Sequence, residues 1–172
     1  LKYVVAVAGS PQANADTFPN VEAAYAQAAI DFGGPLVRAE IMCQPGSYPG
    51  FRLRPGMHVG MFVDGGIADI RIPPVPNLDT PPLVFTGTIE VRAADGWNVG
   101  LGDPQPNASI SNAKIATSGA ASCLLIGAGV TTGLVSLSRS VLPPETGIAI
   151  EEVAGALTRD ALTIACENVK IE

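Results

Sequence analysis

Basic residues and histidine are scarce in this sequence. Ten lysine and arginine residues stand against 16 aspartate and glutamate residues, and the formal net charge is −6. A basic face supplies most of the affinity for nucleic acid, so we expect no nucleic-acid partner. His58 is the single histidine, and no group of residues has the spacing of zinc ligands. We therefore expect no metal and no cofactor.

The three cysteines do not form a CxxC pair. Cys43, Cys123 and Cys166 each lie in an apolar run with strand character. An odd number is a poor basis for a disulfide framework, so the sequence predicts three buried free thiols that behave as small apolar side chains. The apolar runs are also short. None approaches the roughly 20 residues that span a bilayer, so we expect no membrane partner.

Aromatic residues make up only 5% of the chain, whereas 19 glycines and 15 prolines interrupt it throughout. Such frequent turn residues leave room for many short strands and few helices. At 172 residues the chain has the length of one domain with a sizeable core. The sequence therefore predicts a single all-β domain over residues 1–172.

The segment 36–72 contains four short apolar runs, which are separated by Pro-Gly, Pro-Gly and Gly-Gly. Polarity alternates within these runs, and Leu53, for example, lies between two outward arginines, Arg52 and Arg54. Strands of about three to five residues are too short for an ordinary sandwich. They fit a coil in which each short strand stacks on the same strand of the next turn.

One segment has the pattern of an amphipathic helix, with Asp16 or Thr17 as the N-cap and Pro19 in the first turn. Six apolar residues recur at helical spacing on one face: Val21, Ala24, Tyr25, Ala28, Ala29 and Phe32. Gly33-Gly34 ends the helix. We expect its apolar face to cover the open end of the strand stack that follows.

Weak internal similarity beyond the helix predicts a repeat. Residues 112–115 (NAKI) resemble residues 168–171 (NVKI), and residues 124–126 resemble residues 162–164, each with the pattern Leu-x-Ile. Inward apolar positions recur at roughly 22–24 residues, in the range of repeat solenoids. These positions are Val91, Ile115 and Leu137.

The order of strand, helix ending in Gly-Gly, and AEIMCQPGSYPGFRL (residues 39–53) is similar to the opening of pectin-lyase-like right-handed parallel β-helix proteins. In that superfamily a helix covers the end of the coil. The first full turn then carries an apolar strand followed by PG-x-Y, which here is residues 45–48. The Gly-rich turn that begins at Asp64 also fits. The resemblance implies a single-stranded right-handed parallel β-helix of about six turns.

The same resemblance implies one β-helix domain. Residues 1–35 would form the N-terminal strand and the capping helix, and residues 36–172 the coil turns, with proline-rich loops at 73–82 and 103–107. The C-terminal run 161–171 has strand character and no helical cap. We expect that end to be covered by a loop, by charged side chains or by another copy of the chain.

Glycosidases on this scaffold use two carboxylates, one as acid and the other as base or nucleophile. Asp64 and Asp69, which flank Gly-Gly-Ile-Ala, are weak candidates for such a pair. Both also fit turn positions where aspartate is common, which is the better interpretation. A related esterase pattern places a carboxylate just after the PG-x-Y tyrosine, where this chain has PGF (residues 49–51). No catalytic residue is therefore predicted.

Three other features have a structural and a functional interpretation. Arg52, Arg54 and Arg71 could supply the base of a lyase, but too few acids lie nearby for its calcium, and outward charges on strands are usually solvated. His58 has no GxSxG-type partner motif and is interpreted as a hydrogen-bonded structural residue. Trp97 is interpreted as an aromatic that closes a turn over the core, with a sugar or partner contact as the alternative.

Without a visible catalytic constellation, we expect an assembly protein rather than an enzyme. The resemblance to small β-helix proteins implies a virus or phage virion component, namely a capsid decoration or cement protein or a short spike protein. Such a protein would form a homotrimer and bind a larger assembly such as a capsid. The expected partner contacts are Pro74, Pro76, Trp97, Lys170 and Ile171. The alternative is a small secreted carbohydrate-active β-helix enzyme, a polysaccharide lyase or hydrolase that uses Asp64 and Asp69.

Overall fold

The structure is a computed structural model, and it contains one α-helix and sixteen short strands within the residues it describes. These residues are 2–11, 13–34, 39–54, 56–61, 83–91, 107–111, 114–116, 124–127, 132–138, 140–142, 148–150, 161–167 and 169–171. The elements are β1 (Lys2–Val5), β2 (Thr17–Phe18), α1 (Val21–Phe32), β3 (Ala39–Cys43), β4 (Gly46–Pro49), β5 (Arg52–Leu53), β6 (Met57–Met61), β7 (Leu83–Thr86), β8 (Ile89–Val91), β9 (Asn107–Ser111), β10 (Lys114–Ala116), β11 (Leu124–Ile126), β12 (Thr132–Ser138), β13 (Val141–Leu142), β14 (Ile148–Ile150), β15 (Ala161–Glu167) and β16 (Lys170–Ile171). The prediction of an all-β chain with one N-terminal helix is confirmed at this level.

The strands form three sheets in which the described pairs are parallel. Sheet A has seven strands in the order β15-β12-β9-β6-β3-β1-β2. Sheet B has five strands in the order β16-β13-β10-β7-β4, and sheet C has four in the order β14-β11-β8-β5. From β3 onward, successive described strands therefore lie in sheets A, B and C in turn, and we call one set of three such strands a round. Four rounds are complete, and β15 and β16 belong to a fifth.

Register is kept from one round to the next. In sheet A, Ile41 pairs with Val59, Val59 with Ile110, and Ile110 with Leu137. In sheet B, Tyr48 pairs with Phe85 and Phe85 with Ile115. A residue in one round thus lies over its counterpart in the next, and every interior strand forms ladders on both sides. Only the first and the last round have an edge without a strand neighbour in the described residues.

The core lies on the inward faces of the three sheets. Alternation along β3 is clear, because Ala39, Ile41 and Cys43 are buried while Glu40 is exposed. This period of two is what the sequence predicted for the strands of residues 36–72. The largest fully buried side chains share this inward orientation; they are Tyr48, Phe85, Ile41, Leu53, Met57, Leu83, Ile89, Ile110, Ile115, Leu124 and Ile126.

The helix begins later than predicted. Asn20 is the N-cap, and its side chain accepts a hydrogen bond from the Ala23 N–H at 2.9 Å. The prediction of Asp16 or Thr17 was wrong because Thr17 and Phe18 pair with β1 as strand β2, which leaves Pro19 ahead of the cap.

The predicted end of the helix is confirmed. Gly33 takes a left-handed conformation with φ of 74°, which glycine adopts without a steric penalty. The Gly34 N–H then donates to the Ala29 carbonyl oxygen at 2.9 Å, which satisfies a carbonyl in the last turn.

The apolar face of α1 packs against β1, β2 and β3, at the end of the stack where the first round begins. Val21, Ala24, Tyr25 and Ala28 are buried, as predicted. Phe32, the last member of the predicted stripe, remains 45% exposed. The helix therefore covers this end through its first two and a half turns rather than along its whole length. The helix is too short to qualify as a membrane span, and the described residues contain no candidate for one.

The predicted repeat is correct in one part and wrong in two. Lys114 pairs with Val141, which in turn pairs with Lys170, so these two lysines of the similar segments occupy the same position of sheet B two rounds apart. Leu124 lies in sheet C and Leu162 in sheet A, so their segments are not equivalent. Val91, Ile115 and Leu137 are all buried, but they lie in sheets C, B and A respectively. Similar patterns of apolar residues thus occur in different sheets and do not mark equivalent positions of a repeat.

The cysteines do not behave as one group. Cys43 is a buried free thiol, and burial raises its pKa to about 12. Cys166 is free but exposed, which contradicts the prediction of a buried thiol. It lies on β15, the last strand of sheet A, where no further strand covers it among the described residues. Cys123 lies outside the described residues, as do the loop at 73–82 and most of the loop at 103–107, whose last residue, Asn107, begins β9.

Candidate functional site

Most of the sequence-predicted site residues lie outside the described residues. These are Asp64, Asp69, Arg71, Pro74, Pro76 and Trp97. Lys170 and Ile171, by contrast, form β16 at the end of sheet B. Within the described residues, no group of three or more His, Cys, Asp or Glu side chains is arranged to hold a metal ion. Three other places carry polar chemistry or exposed apolar surface.

The first place is a groove on the outer face of sheet A. It has a volume of about 370 Å³ and crosses strands β1, β3, β6 and β9. Six outward side chains that alternate with the buried core residues line it, together with Gly60 and the core residue Val59; the six are Lys2, Glu40, Met42, His58, Ser109 and Ser111. The groove is thus made by the outward half of the same alternation that builds the core.

Parallel register places four polar residues of the groove in one row. Lys2 pairs with Glu40, Glu40 with His58, and His58 with Ser109, so neighbours are about 4.8 Å apart along the row. The Lys2 Nζ atom lies 3.2 Å from Glu40 Oε2. The His58 Nδ1 atom lies 2.6 Å from the Ser109 Oγ atom. The row therefore consists of an ion pair followed by an imidazole–hydroxyl pair.

The hydrogen bond of His58 was predicted, but its partner was not. His58 and Ser109 are separated by 51 positions in the sequence, and only the pairing of β6 with β9 brings them together. The sequence does carry a signal for the orientation of Ser109. In Asn107–Ser111 (NASIS), Ala108 and Ile110 are buried, so the serines alternate outward.

The absence of a side chain at Gly60 leaves space in the groove beside Ser111. A methyl group at position 60 would lie 3.4 Å from the Ser111 Oγ atom and 3.9 Å from the Met42 sulfur. The glycine hydrogen leaves that space open. Ser109 and Ser111 both point outward from β9, so two hydroxyl groups border the opening.

The second place is the end of the stack that α1 covers. Strand β5 is the first described strand of sheet C, and the Arg52 N–H donates to Glu22 Oε1 at 2.7 Å. Glu22 also binds the Arg54 guanidinium, with Nη1 2.9 Å from Oε2. The Arg54 guanidinium in turn lies over the Tyr25 ring, 4.0 Å from its centroid. A helix side chain thus occupies an edge that would otherwise be open to another strand.

This arrangement argues against a role for these arginines as a lyase base. The Arg54 side chain is only 12% exposed and is held by Glu22 and Tyr25. Arg52 is near Glu90 on β8, with 3.9 Å between its Nη2 atom and Oε2. The two arginines therefore link the helix and the first two rounds of sheet C rather than face open solvent side by side.

Two tyrosines tie β1 to its surroundings. The Tyr3 hydroxyl donates to Asp31 Oδ2 at 2.7 Å, and burial together with this bond raises the pKa of Tyr3 to about 12. Hydrogen bonds from Tyr3 and Gln27 lower the pKa of Asp31. Tyr48, the tyrosine of PG-x-Y, is buried, and its hydroxyl lies 2.8 Å from the Gln44 carbonyl oxygen and 3.3 Å from the Val5 carbonyl oxygen of β1. Burial, with a contribution from Cys43, raises the pKa of Tyr48 to about 12.

The third place is formed by β14, β15 and β16, which are the last described strands of sheets C, A and B. We refer to these three strands together as the last round. Residues in a parallel ladder point to the same side as their partners. Ile148 and Ile150 pair with Leu124 and Ile126, which are buried, yet Ile148 is 36% and Ile150 is 53% exposed.

The other two sheets end in the same way. Ile171 pairs with buried Leu142 and is 56% exposed, and exposed Cys166 pairs with buried Leu137. In all three sheets, then, side chains at inward positions reach solvent in the last round. We call this surface the open end, and its members are Ile148, Ile150, Cys166 and Ile171.

No protein-family model, curated protein or solved structure is similar enough to this chain to match it. A fold by itself does not define an activity, and here no relative supplies one. The groove and the two ends of the stack are therefore the features from which the function of this chain is inferred.

Proposed function

We propose that this chain is a structural protein that assembles with further copies of itself and with a larger particle, as a virion component. The observation that carries the proposal is the difference between the two ends of the stack. At one end α1 covers the strands, although Ile30 and Phe32 of the helix are exposed. At the other end, side chains at inward positions of all three sheets reach solvent. Apolar patches that a folded protein leaves in solvent commonly mark contact surfaces.

We further propose that the three sheets are the faces of a right-handed single-stranded parallel β-helix of the pectin-lyase-like kind. Strands that visit sheets A, B and C in turn, with parallel pairing throughout, support a coil. Connections between parallel strands are right-handed in nearly all proteins, which supports the handedness. A coil of this kind has strand edges only at its two ends, so its end surfaces determine how it associates.

The edges of the last round support association as strongly as the side chains do. Strand β15 has seven residues, and among the described strands it pairs with β12 alone, while β14 and β16 likewise have one partner each. Unpaired N–H and C=O groups on such edges are a template for pairing with another chain. Complete burial of an exposed isoleucine side chain contributes about 1.5–3 kcal/mol. The three isoleucines of the open end are 36–56% exposed, so covering each contributes a corresponding fraction of that free energy.

The proposed assembly is a homotrimer that uses the open end and the proline-rich segment as contacts. Ile171 is the member of the open end that the sequence singled out, and Lys170 precedes it on β16. Pro74, Pro76 and Trp97 are proposed as further contacts on the basis of the sequence resemblance. Together they would bind the neighbouring copies and the particle surface.

Light scattering with size-exclusion chromatography tests the proposal on the full chain at micromolar concentration. We expect the mass of three copies, and we expect Ile150→Asp and Ile171→Asp to lower it towards one copy. Ile30→Asp is the matched control, because Ile30 is 72% exposed on α1 at the covered end, and its substitution should leave the mass unchanged. A monomeric wild-type chain would overturn the proposal, and so would an equal effect of the control.

A further inference from the structure

We propose that Ser109 and His58 form a nucleophile–base pair in the groove on sheet A, and that this pair cleaves short-chain carboxylic esters. The inference is independent of the assembly proposed above. It depends on the outer face of sheet A, whereas assembly depends on the last round.

His58 and Ser109 have the geometry of a base and the hydroxyl group that it activates. A base that activates a hydroxyl must be within about 2.6–3.2 Å of the oxygen, and the distance from His58 Nδ1 to Ser109 Oγ is 2.6 Å. His58 is exposed and Ser109 is partly exposed, so a substrate can reach both groups. The groove thus presents a serine oxygen in contact with an imidazole at an open surface.

The row on sheet A adds a carboxylate on the far side of the imidazole. Glu40 is the register partner of His58 on β3, opposite the side where Ser109 lies on β9. If Nδ1 accepts the serine proton, the second ring nitrogen carries hydrogen, and a carboxylate favours that tautomer and the imidazolium that forms. Glu40 is therefore a positioning residue. Lys2 holds it at 3.2 Å, through an ion pair in which both side chains are half exposed.

The space beside Ser109 suits a small acyl group. Gly60 leaves the floor open, and the Ser111 hydroxyl borders the same opening. Backbone N–H groups inside a parallel sheet are committed to the ladders, so Ser111 is the donor that would bind the developing oxyanion. A groove of about 370 Å³ lined mainly by short or polar side chains favours an acetyl or similar acyl group.

The chemistry balances with water as the only further reactant. Ser109 Oγ attacks the ester carbonyl carbon while its proton moves to His58 Nδ1. The bond from carbon to the alkoxy oxygen breaks, and the leaving oxygen takes the proton from His58. Water then attacks the acyl-serine with His58 as base, which releases the carboxylic acid and restores Ser109.

Labelling with a fluorophosphonate tests for the nucleophile, with mass spectrometry to identify the modified residue. We expect one adduct at Ser109, and we expect His58→Ala to reduce its rate of formation about 100-fold or more. Ser136→Ala is the matched control, since Ser136 pairs with Ser109 on β12 but has no histidine partner in the register. The control should label at the wild-type rate.

Hydrolysis of p-nitrophenyl acetate by the full chain tests for turnover. Ser109→Ala and His58→Ala should each lower kcat about 100-fold, with thermal unfolding curves like that of the wild type. Glu40→Gln should lower kcat and leave KM nearly unchanged, a split that a merely structural residue would not produce. Adducts spread over several serines, or a Ser109→Ala variant as active as the wild type, would show that the His58–Ser109 contact only strengthens the sheet.

Discussion

The two ends of the strand stack differ in what lies over their strands. At the first round, α1 packs on β1 and β3, and Glu22 accepts a hydrogen bond from the Arg52 N–H of β5. At the last round, Ile150 and Ile171 are more than half exposed, although their register partners are buried. The burial of an inward side chain on a short strand is therefore not determined by its own sequence. It depends on whether another strand or the helix covers that side chain at the next position along the stack.

Tyr25→Ala is expected to have the largest effect, because it removes the centre of the covered end. The ring is 6% exposed and lies under the Arg54 guanidinium. Replacing a buried aromatic side chain by alanine costs about 3–5 kcal/mol, and we expect a loss in that range in urea unfolding. Phe32→Ala on the same helix is the control, since Phe32 is 45% exposed and should change stability by less than about 1 kcal/mol. Equal losses for both variants would contradict the assignment of the helix face.

Ile126→Ala and Ile150→Ala compare one register position in two successive rounds. Ile126 is fully buried, so its truncation should cost about 2–5 kcal/mol. Ile150 pairs with it but is 53% exposed, so its truncation should cost less than about 1 kcal/mol in the isolated chain. Urea unfolding at low protein concentration measures both. If association covers the open end, the cost of Ile150→Ala should rise as the protein concentration rises.

Glu22→Ala tests the covered edge itself. The variant removes an acceptor for the Arg52 N–H and the carboxylate partner of Arg54, which is only 12% exposed. Hydrogen bonds to charged groups contribute about 1.5–3 kcal/mol, and with Glu22 partly exposed we expect a loss near the lower limit.

Glu40→Ala is the matched control for Glu22→Ala. Its ion pair with Lys2 is half exposed on both sides, so the loss should be less than about 1 kcal/mol and should disappear at high salt. Unfolding at two salt concentrations distinguishes the two carboxylates. A Glu22→Ala variant as stable as the wild type would mean that the edge is solvated rather than bound.

Asp31→Asn should produce the smallest effect, and one that depends on pH. Hydrogen bonds from Tyr3 and Gln27 lower the pKa of Asp31 below its usual value of 3.8. In the folded state, Asp31 thus binds its proton less readily than in the unfolded state. Its contribution to stability is complete above about pH 4 and is lost as the pH falls through the folded pKa.

Unfolding midpoints measured between pH 2 and pH 6 test the role of Asp31. The wild type should lose more stability than Asp31→Asn over this range, and the two curves should converge at the acidic end. Asp16→Asn is the control, because Asp16 does not take part in the hydrogen bonds that Asp31 accepts from Tyr3 and Gln27. Parallel curves for the wild type and Asp31→Asn would contradict the proposed link between the helix and β1.

Local rules predicted the features that depend on local conformation. Gly33-Gly34 was identified as the helix end because a left-handed residue is needed there, and Gly33 has φ of 74°. The alternation around Leu53 was identified for a similar reason, since successive strand residues face opposite sides. The helix start was missed because Thr17 and Phe18 join β1, and that pairing outweighs the preference of threonine for an N-cap.

Contacts between rounds could not be predicted in the same way. His58 reaches Ser109 through the pairing of β6 with β9, and two long segments, 62–82 and 92–106, lie between them in the sequence. Loop length does not reveal which rung of a parallel ladder a strand will occupy. The equivalence of Lys114 and Lys170 was found because the flanking residues repeat as well. No such repeat accompanies the histidine.

The carboxylate of Glu22 would also limit the growth of an assembly in which copies join end to end. A stack with two identical free edges would accept a new copy at each end, and its growth into a fibre would have no natural stop. Here one edge is already occupied by a side chain of the same molecule. If copies associate through their open ends, as proposed, only helix-covered ends would remain outward, and the assembly would not extend into a fibre.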